Sequence, residues 1–182
     1  MSLVKITTYY LEMLNPEQLC SVPPGDYPLR IEQVKIPSPE FNRFFYRSVG
    51  GDWYWVDRLN WNYEHWLTYL ERPELETWVA YCSGTPFGYL ELELQPNNNV
   101  EIVYFGILKQ FIGKRLGGHL LSVGVERAWA MGAKRLWLRT CSLDSPHALT
   151  NYQSRGFQIY KTEVHTRDMP DNPLGPWLGA YN

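Results

Sequence analysis

Cysteine is scarce: Cys20, Cys82 and Cys141 are the only three in 182 residues. They lie far apart and form no CxxC pair, which argues against a disulfide framework and against a zinc knuckle. No window approaches the roughly 18 apolar residues of a membrane span, so no membrane partner is expected. The opening MSLVKITTYYLEML has no continuous apolar stretch and no small-residue cleavage site. It does not read as a signal peptide, and a reducing cytoplasm is the expected compartment. Neither charge sign dominates, since 17 Lys plus Arg face 19 Asp plus Glu for a net charge of -2. That balance excludes an acidic or basic disordered tail protein and gives no pull toward nucleic acid. The dinucleotide pattern G-x-G-x-x-G, the Walker pattern G-x-x-x-x-G-K-[ST] and the nucleophile elbow G-x-S-x-G are all missing. His65, His119, His147 and His165 share no ligand spacing, so no metal is expected.

What the chain has in excess is aromatic surface. Eight Trp, 13 Tyr and seven Phe make 15% of the residues, which must form core or line a binding site. At about 150 residues per domain the length fits one domain with an extension. Residues 1–28 read as an irregular arm, because Pro16, Pro23, Pro24, Gly25 and Pro28 interrupt any period, and 169–182 read as a Pro/Gly-rich tail. The domain is expected over 29–168. LRIEQVKI alternates as a strand; Ser38 then caps a helix with Pro39 at its first position, and YEHWLTYL reads as a second helix. ETWVAYCSG and PFGYLELELQPNNN alternate as two strands, with Glu91 and Glu93 on what looks like a solvated face. VEIVYFGIL is apolar on both faces except at Glu101, the mark of a strand covered on both sides. Past Gly113, Leu121, Val125, Ala128 and Trp129 recur at helical spacing up to Gly132. KRLWLRTC, a helix opened by Ser145 and Pro146, and FQIYKTEVH complete an α/β (α+β) domain with a mixed sheet and helices on both faces.

EIVYFGILKQFIGKRLGGHLL passes from a buried strand through Gly113 into a helix whose first turn holds Gly117 and Gly118. Unpaired N–H groups and the positive end of a helix dipole meet there, with Lys114 and Arg115 adding charge, so a phosphate or pyrophosphate is the expected guest. The competing explanation is that the two glycines only allow the helix to pack closely on the sheet. Cys141, Asp144 and His147 are near one another in sequence, but nothing marks an oxyanion loop for a cysteine nucleophile.

The glycine loop and helix, followed by LWLRTC and SLDSPHALTNYQSRGF, resemble motifs A and B of the GNAT superfamily of acetyl-CoA-dependent N-acetyltransferases over about residues 29–165. The resemblance implies a mostly antiparallel sheet of six to seven strands. Motif A, Q/R-x-x-G-x-G/A, maps onto Ile112, Gly113, Lys114, Arg115, Leu116 and Gly117, with Gly118 following. Ile112 replaces Gln or Arg, and Arg115 replaces the first motif glycine. Backbone donors survive any side chain, so pyrophosphate binding is still expected, and the Arg115 side chain must point away or itself contact phosphate. Motif B maps onto Asp144, Ala148, Tyr152, Gly156 and Phe157, with Asp144 where the family has Asn.

The implied chemistry is direct transfer of acetyl from acetyl-CoA to the amine of a small molecule or peptide, with no metal. Glu101 stands where histone-acetylating members carry their catalytic glutamate, and, read on the same strand face as Val103, Phe105 and Ile107, it is expected to be partly desolvated and to act as a base through water. Glu91 and Glu93 are reserves. Tyr152 would protonate the coenzyme A thiolate, and the thioester carbonyl would lie against the main chain around Ile107 and Leu108, with N–H donors freed where the strand bends there. The acceptor site is expected among Trp53, Tyr54, Trp55, Trp61 and Trp66, flanked by Asp52 and Asp57. The alternative is a chain that binds acyl-CoA without catalysis, as a sensor or interaction module; a nucleotide-phosphate enzyme lacks a metal-binding carboxylate after the loop. A monomer or homodimer is expected.

Overall fold

The alternating segments and the doubly apolar VEIVYFGIL form strands, and the structure, a computed structural model describing residues 1–177, 179 and 180, joins seven strands in one sheet. They are β1 (Ser2–Met13), β2 (Leu29–Gln33), β3 (Leu75–Cys82), β4 (Thr85–Gln95), β5 (Asn99–Ile107), β6 (Arg135–Cys141) and β7 (Gln158–Met169), in the order β2-β3-β4-β5-β6-β1-β7. Only β5 and β6 pair in parallel. The helices are α1 (Pro39–Gly50), α2 (Tyr63–Leu70), α3 (Leu116–Ala130) and α4 (Ala148–Ser154). Ser38 accepts from the Phe41 N–H and Pro39 opens α1, as the sequence predicts. No helix among the described residues is long and apolar enough to cross a membrane.

The first 28 residues are not all irregular. Residues 2–13 form β1, which lies between β6 and β7 and pairs with both. The prolines begin only at Pro16; before them Val4, Ile6, Thr7, Thr8, Tyr9 and Tyr10 are β-branched or aromatic, and Leu11 and Met13 reach the core fully buried. The tail is partly packed too: the Gly175 N–H donates to the Gly51 carbonyl at 3.0 Å. Positions 178, 181 and 182 of that tail lie outside the described residues.

α3 covers one face of the sheet through Leu116, Leu120, Leu121, Val125 and Ala128, against Leu90, Leu92, Val100, Ile102 and Leu138. The other face is covered at β3 and β4 by α1, where Phe45 and Val49 meet Val79 and Tyr89. On that face Glu91 is completely buried rather than solvated. It accepts from Arg58 Nη1 at 2.8 Å, Tyr69 Oη at 2.9 Å and Asn42 Nδ2 at 3.2 Å. Arg58 is itself buried, with its guanidinium over the rings of Tyr69, Tyr104 and Trp61 at 4.1, 4.3 and 4.7 Å.

Candidate active site

A parallel pair that stops pairing opens a gap in its own sheet. β5 and β6 are in register only from Asn99 to Ile102 against Arg135 to Leu138, yet β5 runs on to Ile107 and β6 to Cys141. The separated strands wall a cleft of about 650 Å³. Its cause lies on the opposite edge of β5. There Leu92 faces Ile102 and Glu91 faces Tyr104, so Val103 has no residue opposite it on β4. Such a bulge bends the strand and turns its main chain. The bend was expected at Ile107 and Leu108. Ile107 does line the cleft, but Leu108 does not, and its N–H is already donated to the Phe87 carbonyl at 2.7 Å.

The glycine loop meets one end of this cleft. Gly113 has φ +85° and Arg115, at the N-cap of α3, has φ +61° with no side-chain cap. The N–H groups of the first helical turn are therefore left for a ligand or water. Ile112, Gly113, Arg115, Gly117 and Gly118 line the cleft; Leu116 is buried in the core, and Lys114 lies over the Phe111 ring at 5.4 Å, off the cleft wall. Close packing of the helix on the sheet does not explain the two helical glycines. A Cβ on Gly117 would make an ordinary 3.4 Å contact with Ile107, and one on Gly118 would meet Arg155 Nη1 at 2.8 Å and Val22 Cγ2 at 3.3 Å, neither of them in the sheet. The packing glycine is Gly124, where a Cβ would stand 2.8 Å from the buried Leu90 side chain.

Tyr152 lines the cleft from α4, with its ring edge-on to Phe105 and Phe157 at 6.0 and 6.2 Å. Burial first, and then the charge of Asp144, raise its pKa, so the phenol holds its proton. Asp144 accepts at both oxygens: from Thr140 Oγ1 at 2.6 Å and the Cys141 N–H at 3.2 Å on one, and from Trp55 Nε1 at 3.3 Å on the other. All these bonds need an acceptor, so Asp in place of Asn loses none of them. Cys141 and His147 also line the cleft, but burial, and then Asp144, push the Cys141 thiol pKa up, the reverse of what a thiolate nucleophile needs.

The bulge overturns one expectation about Glu101. Its partners are Glu93 on β4 and Trp137 on β6, which puts it on the face away from α3, whereas Phe105 and Ile107, opposite Leu90 and Gly88, point toward α3. Glu101 is nearly buried, just outside the cleft wall, and accepts from Gln95 Nε2 at 2.7 Å. Burial raises its pKa, opposed by the charge of Arg139 and by the Gln95 bond. Glu93 is held by Arg72 Nη1 at 2.9 Å and does not reach the cleft. Trp53, Tyr54 and Trp55 line it; Trp66 is core, and Trp61 stacks on His65 at 4.2 Å. Trp55 lies against Gly50, where a Cβ would come within 2.1 Å of the ring. Among the described residues no three His, Cys, Asp or Glu side chains gather to hold a metal.

The model of the acetyltransferase (GNAT) family matches residues 38–157, well over half of the chain. The chain belongs to the GNAT family. No curated protein matches it. Solved structures similar to this GNAT chain include a functionally unknown conserved protein from Staphylococcus epidermidis, with TM-score 0.61 and 16% identity over 91% of this chain and 61% of that one. A GCN5-related N-acetyltransferase from Kribbella flavida has TM-score 0.65 and 16% identity over 91% and 60%. An aminoglycoside acetyltransferase from an uncultured soil metagenomic sample, in complex with trehalose, has TM-score 0.62 and 15% identity over 79% and 97%. This chain thus spans about 60% of the first two structures' length. At such identities the likeness is one of fold.

Within this GNAT fold the residues that sequence reasoning missed are Thr8, Tyr10, Arg139, His165 and Arg167, which wall the cleft on the face away from α3. Nothing local marks them. They come together only because β1 inserts between β6 and β7.

Proposed function

We propose that this GNAT chain transfers the acetyl group of acetyl-CoA to an amine. The observation that carries the reading is the cleft between the parted β5 and β6, which joins the uncapped N-terminus of α3 to a buried, protonated Tyr152. The first-turn amides and Arg115 would hold the pyrophosphate, while the β5 main chain beyond Ile102 would flank the pantetheine arm. The amine nitrogen attacks the thioester carbonyl carbon, and its excess proton passes through water to Glu101. The carbon–sulfur bond then breaks and its electron pair leaves on sulfur, which takes the Tyr152 proton. Solvent returns a proton to Tyr152 and removes one from Glu101.

Calorimetry with acetyl-CoA, paired with a thiol-release assay across amines, tests this. Binding with turnover is expected. Binding without turnover on any amine would favour the non-catalytic acyl-CoA sensor, and no binding at millimolar acetyl-CoA would end both readings. Tyr152→Phe and Glu101→Gln should each lower kcat by about 10²- to 10⁴-fold with acetyl-CoA affinity unchanged, and full activity in either variant removes that residue from the mechanism.

A further inference from the structure

The cleft wall away from α3 holds an unmatched cation. Arg139, on β6, lines the cleft and makes no hydrogen bond or ion pair among the described residues. Its charge reaches Glu101, whose only bond among the described residues is to the neutral Gln95, and the other charges nearby are matched among themselves. Arg167 Nη2 holds Asp57 at 2.8 Å, Arg135 Nε holds Glu12 at 2.6 Å, and Glu163 accepts from Tyr10 Oη at 2.7 Å and pairs with Lys161. Arg139 stands opposite Tyr10 in the β1–β6 register, on the sheet face of Glu101, and α3 covers the other face. Its guanidinium is therefore not placed for a pyrophosphate at the N-terminus of α3.

We infer that the acceptor carries a carboxylate as well as its amine, and that Arg139 binds the carboxylate while the amine approaches the side of Glu101; this rests on the acetyl-transfer reading above. Distance favours it. Glu101 is paired with Trp137, two residues before Arg139, so the two positions are separated by one strand spacing and two strand rises, about 8 Å between backbones. A separation of that size is on the scale of a small amino acid, with its carboxylate at Arg139 in the cleft and its amine on the side where Glu101 lies just outside the wall. The planar fork of Arg matches a carboxylate with two parallel bonds. One unmatched positive charge balances one carboxylate, whereas a phosphate would bring a second negative charge beside Asp57 and Glu101. Thr8, Tyr10 and His165 complete that wall.

The test is kcat/KM for the common amino acids, each compared with its carboxamide and with the decarboxylated amine, and for phosphoethanolamine. An accepted amino acid should exceed its carboxamide by about 10- to 100-fold, the worth of a charge-assisted bond. Arg139→Gln should erase that ratio mainly through KM, with Arg139→Lys intermediate and acetyl-CoA affinity unchanged by calorimetry. Loss of the Arg139 charge also acts on Glu101, but equally for acid and amide, so the ratio isolates carboxylate recognition. Equal rates for acids and amides, a preference for phosphoethanolamine, or a ratio that survives in Arg139→Gln overturns the inference while leaving acetyl transfer in place. Absence of turnover on every amine removes the acetyl-transfer reading, and the inference with it.

Discussion

Arg115 has its backbone at φ +61°, where an L-residue pays about 1 to 2 kcal/mol and glycine does not. The side chain that causes this penalty lines the cleft beside the uncapped turn of α3. Arg115→Gly should leave stability within about 1 kcal/mol, since relief of strain is offset by the freer unfolded chain. Acetyl-CoA affinity should fall nonetheless, and the difference should shrink as salt is raised. Calorimetry at two ionic strengths checks this; unchanged affinity means the side chain points away from phosphate. Glu101 gives a prediction of opposite sign for stability and rate. Its folded pKa lies above the ordinary 4.5, so its contribution to stability is fully present below that value and is lost as pH rises through the raised pKa. Glu101→Gln should therefore melt higher than the parent at neutral pH, with the gain vanishing below about pH 4.5. A Tm series across pH reads it, and an equal or lower Tm at neutrality contradicts the assigned burial cost.

The pair Arg58–Glu91 ties the loop before α2, α2 itself and β4 together with almost no solvent access. Removing one partner of a buried pair typically costs about 3 to 5 kcal/mol, because the other charge is left unmatched. Arg58→Met should cost that much, and Arg58→Met with Glu91→Leu should cost clearly less; urea unfolding of the two single variants and the double reads the coupling. A double variant as unstable as the sum of the singles would mean that the pair is not coupled. This pair also shows where the sequence was and was not legible. Local devices were readable: the Ser38 cap, Pro39 and the period of α3 fold as expected, whereas the helix expected from Ser145 and Pro146 begins only at Ala148, after a turn. Glu91 was not, because alternation is the same for a solvated carboxylate and for one whose partner, Arg58, comes from a loop far back in the chain. Nor was the bulge at Val103, since its place is set by the pairing of β5 with β4 rather than by any residue within β5.

At the scale of the whole molecule the cleft exists because two strands pair over half their length and then separate, and its far wall exists because β1 and β7 extend the sheet past β6. β1 is the link. Among the described residues β7 has no other strand neighbour, and Leu11 and Met13 bury themselves in the core that α3 covers. The sequence concealed this because prolines from Pro16 onward made the whole leading segment look like an arm, although alternating Ile6, Thr8 and Tyr10 already face one side together. A chain lacking residues 1–13 should thus lose more than an extension. It exposes the edge of β6, strands β7, and removes two completely buried side chains, each worth about 2 to 5 kcal/mol on truncation to Ala. Against a total stability of about 5 to 15 kcal/mol, that should abolish a cooperative melt. A milder form separates core packing from strand pairing: Leu11→Ala, which keeps every backbone bond of β1, should lower stability by about 2 to 5 kcal/mol yet retain a single transition and acetyl-CoA binding. If the chain without residues 1–13 still melts cooperatively at the parent temperature, β1 is dispensable and the arm reading of the sequence was the better one.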